Sequence, residues 1–277
     1  AYSNPNNVIR PLTLGGSNGG TIQGVIQNNS ANNTISLAKT GTGTWTLSGT
    51  NSYTGNTSLS GGGTLVLDYE TNNTNKIAGP LTLGGGTLTL AGATGNHIEE
   101  VTSTSLPNGN TFITRSGTNT ARLRLNALTR TGGTISFVDG TVADTDTTNT
   151  NNILGGWATV GNDWAMNSTN GADGAITAFS SYNGTLPSSG AGSSVANYTL
   201  NGTQTQTSTV AANTVRIAGT GSGDTLALGG NALTITSNGG ADVGGLLYVG
   251  GGDDVYNITN TSGSGINASS ATALIIT

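Results

Sequence analysis

Residues 39–55 read Lys39-Thr40-Gly41-Thr42-Gly43-Thr44-Trp45-Thr46-Leu47-Ser48-Gly49-Thr50-Asn51-Ser52-Tyr53-Thr54-Gly55, and the stretch closes on Gly62-Gly63-Thr64-Leu65. Within it, Thr44 to Leu47 alternates threonine with Trp or Leu, the period-2 pattern of a strand with one buried face. The glycines that bracket each run supply turns. The segment therefore predicts strand, glycine turn, strand.

The same grammar runs outward from this stretch. Gly63 to Leu67, Thr87 to Leu90 and Leu233 to Thr236 alternate in the same way, with Leu or Ile on one face and Thr mostly on the other. Three segments share a Leu-x-Leu-Gly-Gly pattern: Leu12 to Gly16, Leu81 to Gly85 and Leu226 to Gly230. Each is followed by a further apolar strand, so the repeating unit is short and self-similar, the mark of a solenoid. No stretch predicts a helix of three turns.

Composition favours coiling over sandwiching. Aromatic residues make up 5% of the chain, too few to fill the core of two facing sheets, whereas 46 glycines and abundant Thr and Asn suit narrow stacked rungs with external polar ladders. Hydrophobic residues reach 33% and the net charge is only -5, which sets the chain apart from disordered polar sequences. The fold class expected is all-β, a right-handed parallel β-helix (β-solenoid). At roughly 20–25 residues per rung, the chain predicts roughly a dozen rungs. Residues 1–277 read as a single such module, with 139–190 as one long, irregular excursion containing Asp144-Thr145-Asp146 and the tryptophans Trp157 and Trp164.

Other function classes are disfavoured. A pI near 4.5 and scattered arginines provide no basic stripe for nucleic acid, and no apolar run is long enough to span a bilayer. With no Cys, rigidity has to come from backbone ladders and stacked side chains. Both ends reach strand-like sequence, Val8 to Leu14 and Ala273-Leu274-Ile275-Ile276-Thr277, without a polar cap. The expectation is end-to-end continuation with neighbouring repeats or copies of the chain.

The positions Lys39, Gly41, Gly43, Trp45, Leu47, Gly49, Asn51, Tyr53, Gly55, Gly63 and Leu65 resemble the autotransporter-associated β-strand repeat, also called the passenger-associated transport repeat. The resemblance covers 39–67 and departs from the usual pattern at Trp45, where Leu is common, and at Asn56, where Gly is common. Asp68-Tyr69 with Asn72 to Lys76, and Asn152 to Ala158, resemble segments that flank such repeats in giant bacterial surface proteins. The resemblance implies a parallel β-helix stalk at the cell surface or outside the cell. It points to a structural role in a fibre, stalk or filament; the alternative is an adhesin module that binds surface glycans.

Chemistry-bearing constellations are sparse. Glu99 and Glu100 are neighbours on a predicted strand and point to opposite faces. Asp144 and Asp146 could share a face, in what reads as a solvated Thr-rich turn. A single His97, expected to be exposed, and no Cys leave no triad or zinc set, so no enzyme and no cofactor are expected. Gly250 to Tyr256 partly matches a Ca²⁺-binding glycine-aspartate nonapeptide, with Asp253 and Asp254 as candidate ligands. One imperfect copy cannot build a site that needs two successive turns. Trp157 and Trp164 could form a sugar-stacking platform or pack the excursion, and packing is the reading preferred. Asn56, Asn72, Asn167 and Asn197 stand in Asn-x-Ser/Thr triplets open to glycosylation.

Overall fold

A β-strand leaves its backbone donors and acceptors pointing sideways, so each short strand here has to find a partner above and below. The computed structural model describes residues 8–30, 32–92, 96–118, 120–236, 244–250, 255–261, 263 and 265–268. These described residues are all-β and without helices, a parallel β-solenoid of about 9 turns. The chain divides into two compact units, 1–148 with 167–177 and 149–166 with 178–277.

In the first unit, one wall stacks Val8–Leu14, Asn33–Lys39, Thr57–Ser60, Leu81–Gly84, Thr104–Leu106 and Leu128–Arg130, each parallel to the next. A second wall stacks Gly20–Ile22, Thr44–Leu47, Thr64–Asp68, Gly86–Ala91, Asn110–Arg115 and Thr134–Phe137 in the same way. The strands lie where the alternation predicts them, and the register shows why. Trp45, Leu65, Leu88, Ile113 and Phe137 form one inward column, and all but Trp45 are fully buried. Each buried Leu in such a column contributes about 1.5–3 kcal/mol. Slipping any strand by one residue would turn its Leu residues to solvent, so the register is strongly specified. The outward positions carry hydroxyls that bond along the stack, as between Thr89 and Thr114 at 2.9 Å.

The predicted rung count of about a dozen is too high. The regular rungs keep the expected spacing, from 20 residues between Leu37 and Thr57 to 25 between Val8 and Asn33, so the shortfall lies outside them. The 139–190 stretch adds antiparallel pairing rather than parallel rungs. There, Ala143–Thr145 extends a third wall of Ile98–Glu100 and Arg122–Arg124 and is then met antiparallel by Gly174 and Ala175. The buried Asn167 holds this return, donating to the carbonyls of Thr145, Thr147 and Ala172 at 2.9–3.0 Å. Ala158–Val160 and Asp163–Asn167 form an antiparallel hairpin whose two-residue loop places Gly161 at a positive φ of 54°.

The second unit stacks Gly192–Asn201, Val210–Ala218, Leu233–Ile235 and Ile266–Ala268 in parallel, with Gly245–Val249 against the second half of Val210–Ala218. Its core gathers Tyr198, Leu200, Val215, Ile217, Leu226 and Leu233. A neighbouring cluster joins Ile153, Trp164, Phe179 and Leu247. The terminal stretch 273–277, expected as a strand, lies outside the described residues.

Candidate functional site: the 39–67 repeat and the polar groups it buries

Lys39 occupies a core column. It pairs in register with Leu14 on one side and Leu59 on the other and is fully buried. Its aliphatic stem continues the apolar stack, and its ammonium turns the corner to donate to the carbonyls of Thr40 at 3.1 Å and Gly41 at 2.9 Å. Burial pushes the Lys39 amine below the usual lysine range. The repeat therefore uses lysine as a long apolar side chain with three donors at its tip, satisfying a turn whose carbonyls face inward.

The glycines follow from the same crowding. Gly41 has φ of 72°, and a Cβ there would lie 2.6 Å from the carbonyl oxygen of Gly16 on the rung before. At Gly63 a Cβ would meet the Lys39 ammonium at 2.5 Å and the Gly41 oxygen at 2.4 Å. Gly43, Gly49 and Gly55 likewise press against backbone carbonyls of the preceding turn. Trp45, at the position where Leu is usual, keeps the inward parity. Its indole lies over Gly20 and donates through Nε1 to the Gly15 carbonyl at 3.2 Å.

Asn51 ties three rungs together. Its Oδ1 accepts from the Ile26 amide at 3.0 Å and its Nδ2 donates to the Lys76 carbonyl at 3.1 Å, residues 25 positions before and after it. Tyr53 is fully buried, with its hydroxyl 2.7 Å from Thr57 Oγ1, and burial raises its pKa far above the ordinary tyrosine value. Leu47 and Leu65 are fully buried core residues.

One turn beyond Lys76 the same wall carries Glu99, also fully buried. Its carboxylate accepts from the amides of Lys76 at 2.9 Å and Ile77 at 2.6 Å and from the Tyr69 hydroxyl at 3.0 Å. The Lys76 ammonium donates to the Asn72 carbonyl at 2.7 Å and sits 5.5 Å over the Tyr69 ring. Burial lowers the Lys76 pKa, with Glu99 and Asp68 pulling it back up. Burial also drives Tyr69 well upward, and the Glu99 charge adds to that. Backbone amides that find a carboxylate in place of water are fully satisfied, which is what lets these charges stay inside.

Several sequence expectations change here. His97 is buried rather than exposed, because its ring stacks on Tyr69 at 4.2 Å and its Nε2 lies 3.4 Å from Glu99. Glu99 and Glu100 do face opposite ways, the first inward and the second to solvent. Asp144 is not in a solvated turn. It is buried and ion-paired with Arg122, while Asp146 is exposed, so the two share no face. Trp164 is fully buried and Trp157 is 6% exposed, so neither indole offers a flat face to a sugar. Asp253 and Asp254 lie outside the described residues. Asn167 and Asn197 are fully buried and hydrogen-bonded, which closes both to glycosylation in the folded chain.

The buried wall was only half legible. Asn51 and Lys76 stand one turn apart, and stepping one more turn leads to Glu99, the signal that could have marked it as a core residue.

Residues 37–67 match the passenger-associated-transport-repeat family, PATR. No curated protein matches the chain, and no solved structure does. Among the described residues no helix is long and apolar enough to cross a membrane. Residues 37–67 are thus similar to a passenger-associated-transport repeat, and that stretch lies within a parallel β-solenoid.

Proposed function

We propose that this chain is a structural segment of an exported bacterial surface protein, joined end to end with neighbouring repeats outside the cell and catalysing no reaction. The observation that carries this reading is the repeat at 37–67, whose Lys39 and Asn51 bond to backbone within and between rungs rather than to anything in solvent. Side chains spent on rung-to-rung bonding give stiffness and proteolytic resistance, the needs of a stalk or fibre. Each rung needs only its neighbour to form, so folding can propagate along a chain that emerges progressively from a membrane.

The test places the chain between a signal peptide and a translocating β-barrel in a Gram-negative host. Surface exposure on intact cells, with a protease-resistant fragment that contains 37–106, is the expected outcome. Retention inside the cell, or complete digestion at the surface, contradicts the proposal.

A further inference from the structure

Successive residues of a parallel strand direct their N–H and C=O groups to opposite neighbours, so the bonds made on one side fix what the other side offers. In Val8–Leu14 the Val8 amide donates to the Asn32 carbonyl at 3.0 Å, and the Leu14 carbonyl accepts from the Thr40 amide at 2.8 Å. Val8, Arg10, Leu12 and Leu14 therefore serve the Asn33–Lys39 strand, while Ile9, Pro11 and Thr13 serve the opposite edge. Among the described residues no strand pairs with that edge. Its middle member is a proline, which has no N–H to give.

The side chains act in the same sense. Leu12 and Leu14 are in register with the buried Leu37 and Lys39, and Arg10 shares their parity, in register with Ile35. Arg10 is exposed, and a strand laid beside it would have to bury its guanidinium at the head of a core column. A missing donor and an inward charge are two of the devices by which sheet edges refuse strand addition. This edge has need of them, because Ile9 is 65% exposed and two leucines lie open to the next rung position.

The far edge of the same wall is closed by another route. The Thr104 amide donates to the Ala127 carbonyl at 3.2 Å, so Leu128 and Arg130 direct their backbone groups away from the stack. The Leu128 amide donates to the Thr147 hydroxyl at 2.8 Å, and the Arg130 side chain folds back to donate to the Gly133 carbonyl at 2.6 Å. In the second unit, by contrast, Asn257–Thr259 and Ile266–Ala268 contain neither proline nor charge. There Ile258 and Ile266 extend the columns of the buried Leu226 and Leu233 and are 39% and 37% exposed.

We propose that the first wall of the first unit is a finished stack, in which Arg10 and Pro11 prevent a second copy of the chain from adding a strand to Val8–Leu14. The device acts whether or not the chain is exported, and it limits how such a segment can join its neighbours.

Residue-resolved hydrogen exchange of the full chain at rising concentration tests this. The Arg10 and Leu12 amides are expected to be protected, and the Ile9 and Thr13 amides to exchange freely at every concentration. Arg10→Val combined with Pro11→Val removes the charge and restores the donor. In that double variant, exchange at Ile9 and Thr13 is expected to slow at least about tenfold as concentration rises, with sedimentation showing association. Slowing at Ile9 and Thr13 in the unaltered chain overturns the proposal, as does a double variant with an unchanged far-UV circular dichroism spectrum whose edge stays open at the same concentrations. The unaltered chain needs no mutation, so its exchange pattern decides the matter even where the double variant fails to fold.

Discussion

The two units solve one problem with different chemistry. Both have polar groups inside narrow rungs, but the first buries charged residues, among them Lys39, Lys76, Glu99 and Asp144, while the second buries neutral amides. In the second unit Asn197 is the hub. Its Nδ2 donates to the Asn151 carbonyl at 2.6 Å, and its Oδ1 accepts from Asn213 Nδ2 and the Thr214 hydroxyl, both at 2.8 Å. A charged group inside a protein holds its partners more strongly and leaves a larger deficit when removed; a neutral amide costs less in both directions. The first unit should therefore be the more sensitive to mutation and to pH.

The largest effect is expected from Glu99→Ala. It strips the amides of Lys76 and Ile77 and the Tyr69 hydroxyl of their acceptor together. A loss of about 3–5 kcal/mol is predicted, read by denaturant unfolding, with hydrogen exchange rising in 69–101. Asn197→Ala should cost less, about 2–3 kcal/mol, with exchange rising in 192–218 instead. If the two losses were equal, the contrast between charged and neutral polar cores would fail.

Lys39→Met sharpens the comparison within the repeat. The methionine stem keeps the column between Leu14 and Leu59, so only the bonds to Thr40 and Gly41 are lost, and about 1–2 kcal/mol is expected. Lys39→Ala should cost clearly more, because it also opens a cavity.

The pH response is the smallest effect and the most specific. Tyr53 and Tyr69 have folded pKa values raised above the ordinary tyrosine value of 10.0, so their contribution is fully present below pH 10 and is lost as pH rises beyond it. Tyr256, in the second unit, is pushed up to about 12 and acts in the same direction. Lys39 and Lys76 have lowered values and act with the opposite sign up to about pH 10.5, but their displacement is the weaker one. Stability should therefore decline above pH 10, and Tyr53→Phe should remove up to about 1.4 kcal/mol per pH unit of that slope. An unchanged slope in Tyr53→Phe would remove Tyr53 from this account.

Much of the fold was legible because strand alternation and stacking obey one rule: Leu65, Leu88 and Ile113 appear as inward positions in sequence and meet in register in space. The repeat positions were legible as a pattern, yet their purposes were not. Nothing local marks Lys39 as a core residue, since a lysine in a turn reads as solvated until the next rung is placed above it. His97 and Asp144 were misread for the same reason: Tyr69, on which the His97 ring stacks, and Arg122, which pairs with Asp144, lie about one turn away. Burial in a solenoid is decided by the neighbouring rung, and a single-rung reading cannot see it.

The central claim is parallel, in-register stacking through the repeat, and a distance along one outward column tests it most directly. Thr21, Thr46, Val66, Thr89 and Thr114 occupy successive rungs of one column. The chain has no Cys, so spin labels can be placed cleanly at Thr21→Cys and Thr114→Cys. Four rung steps predict a narrow distribution centred near about 19 Å between backbones. A broad distribution, or one centred far from that separation, would contradict the stacked architecture.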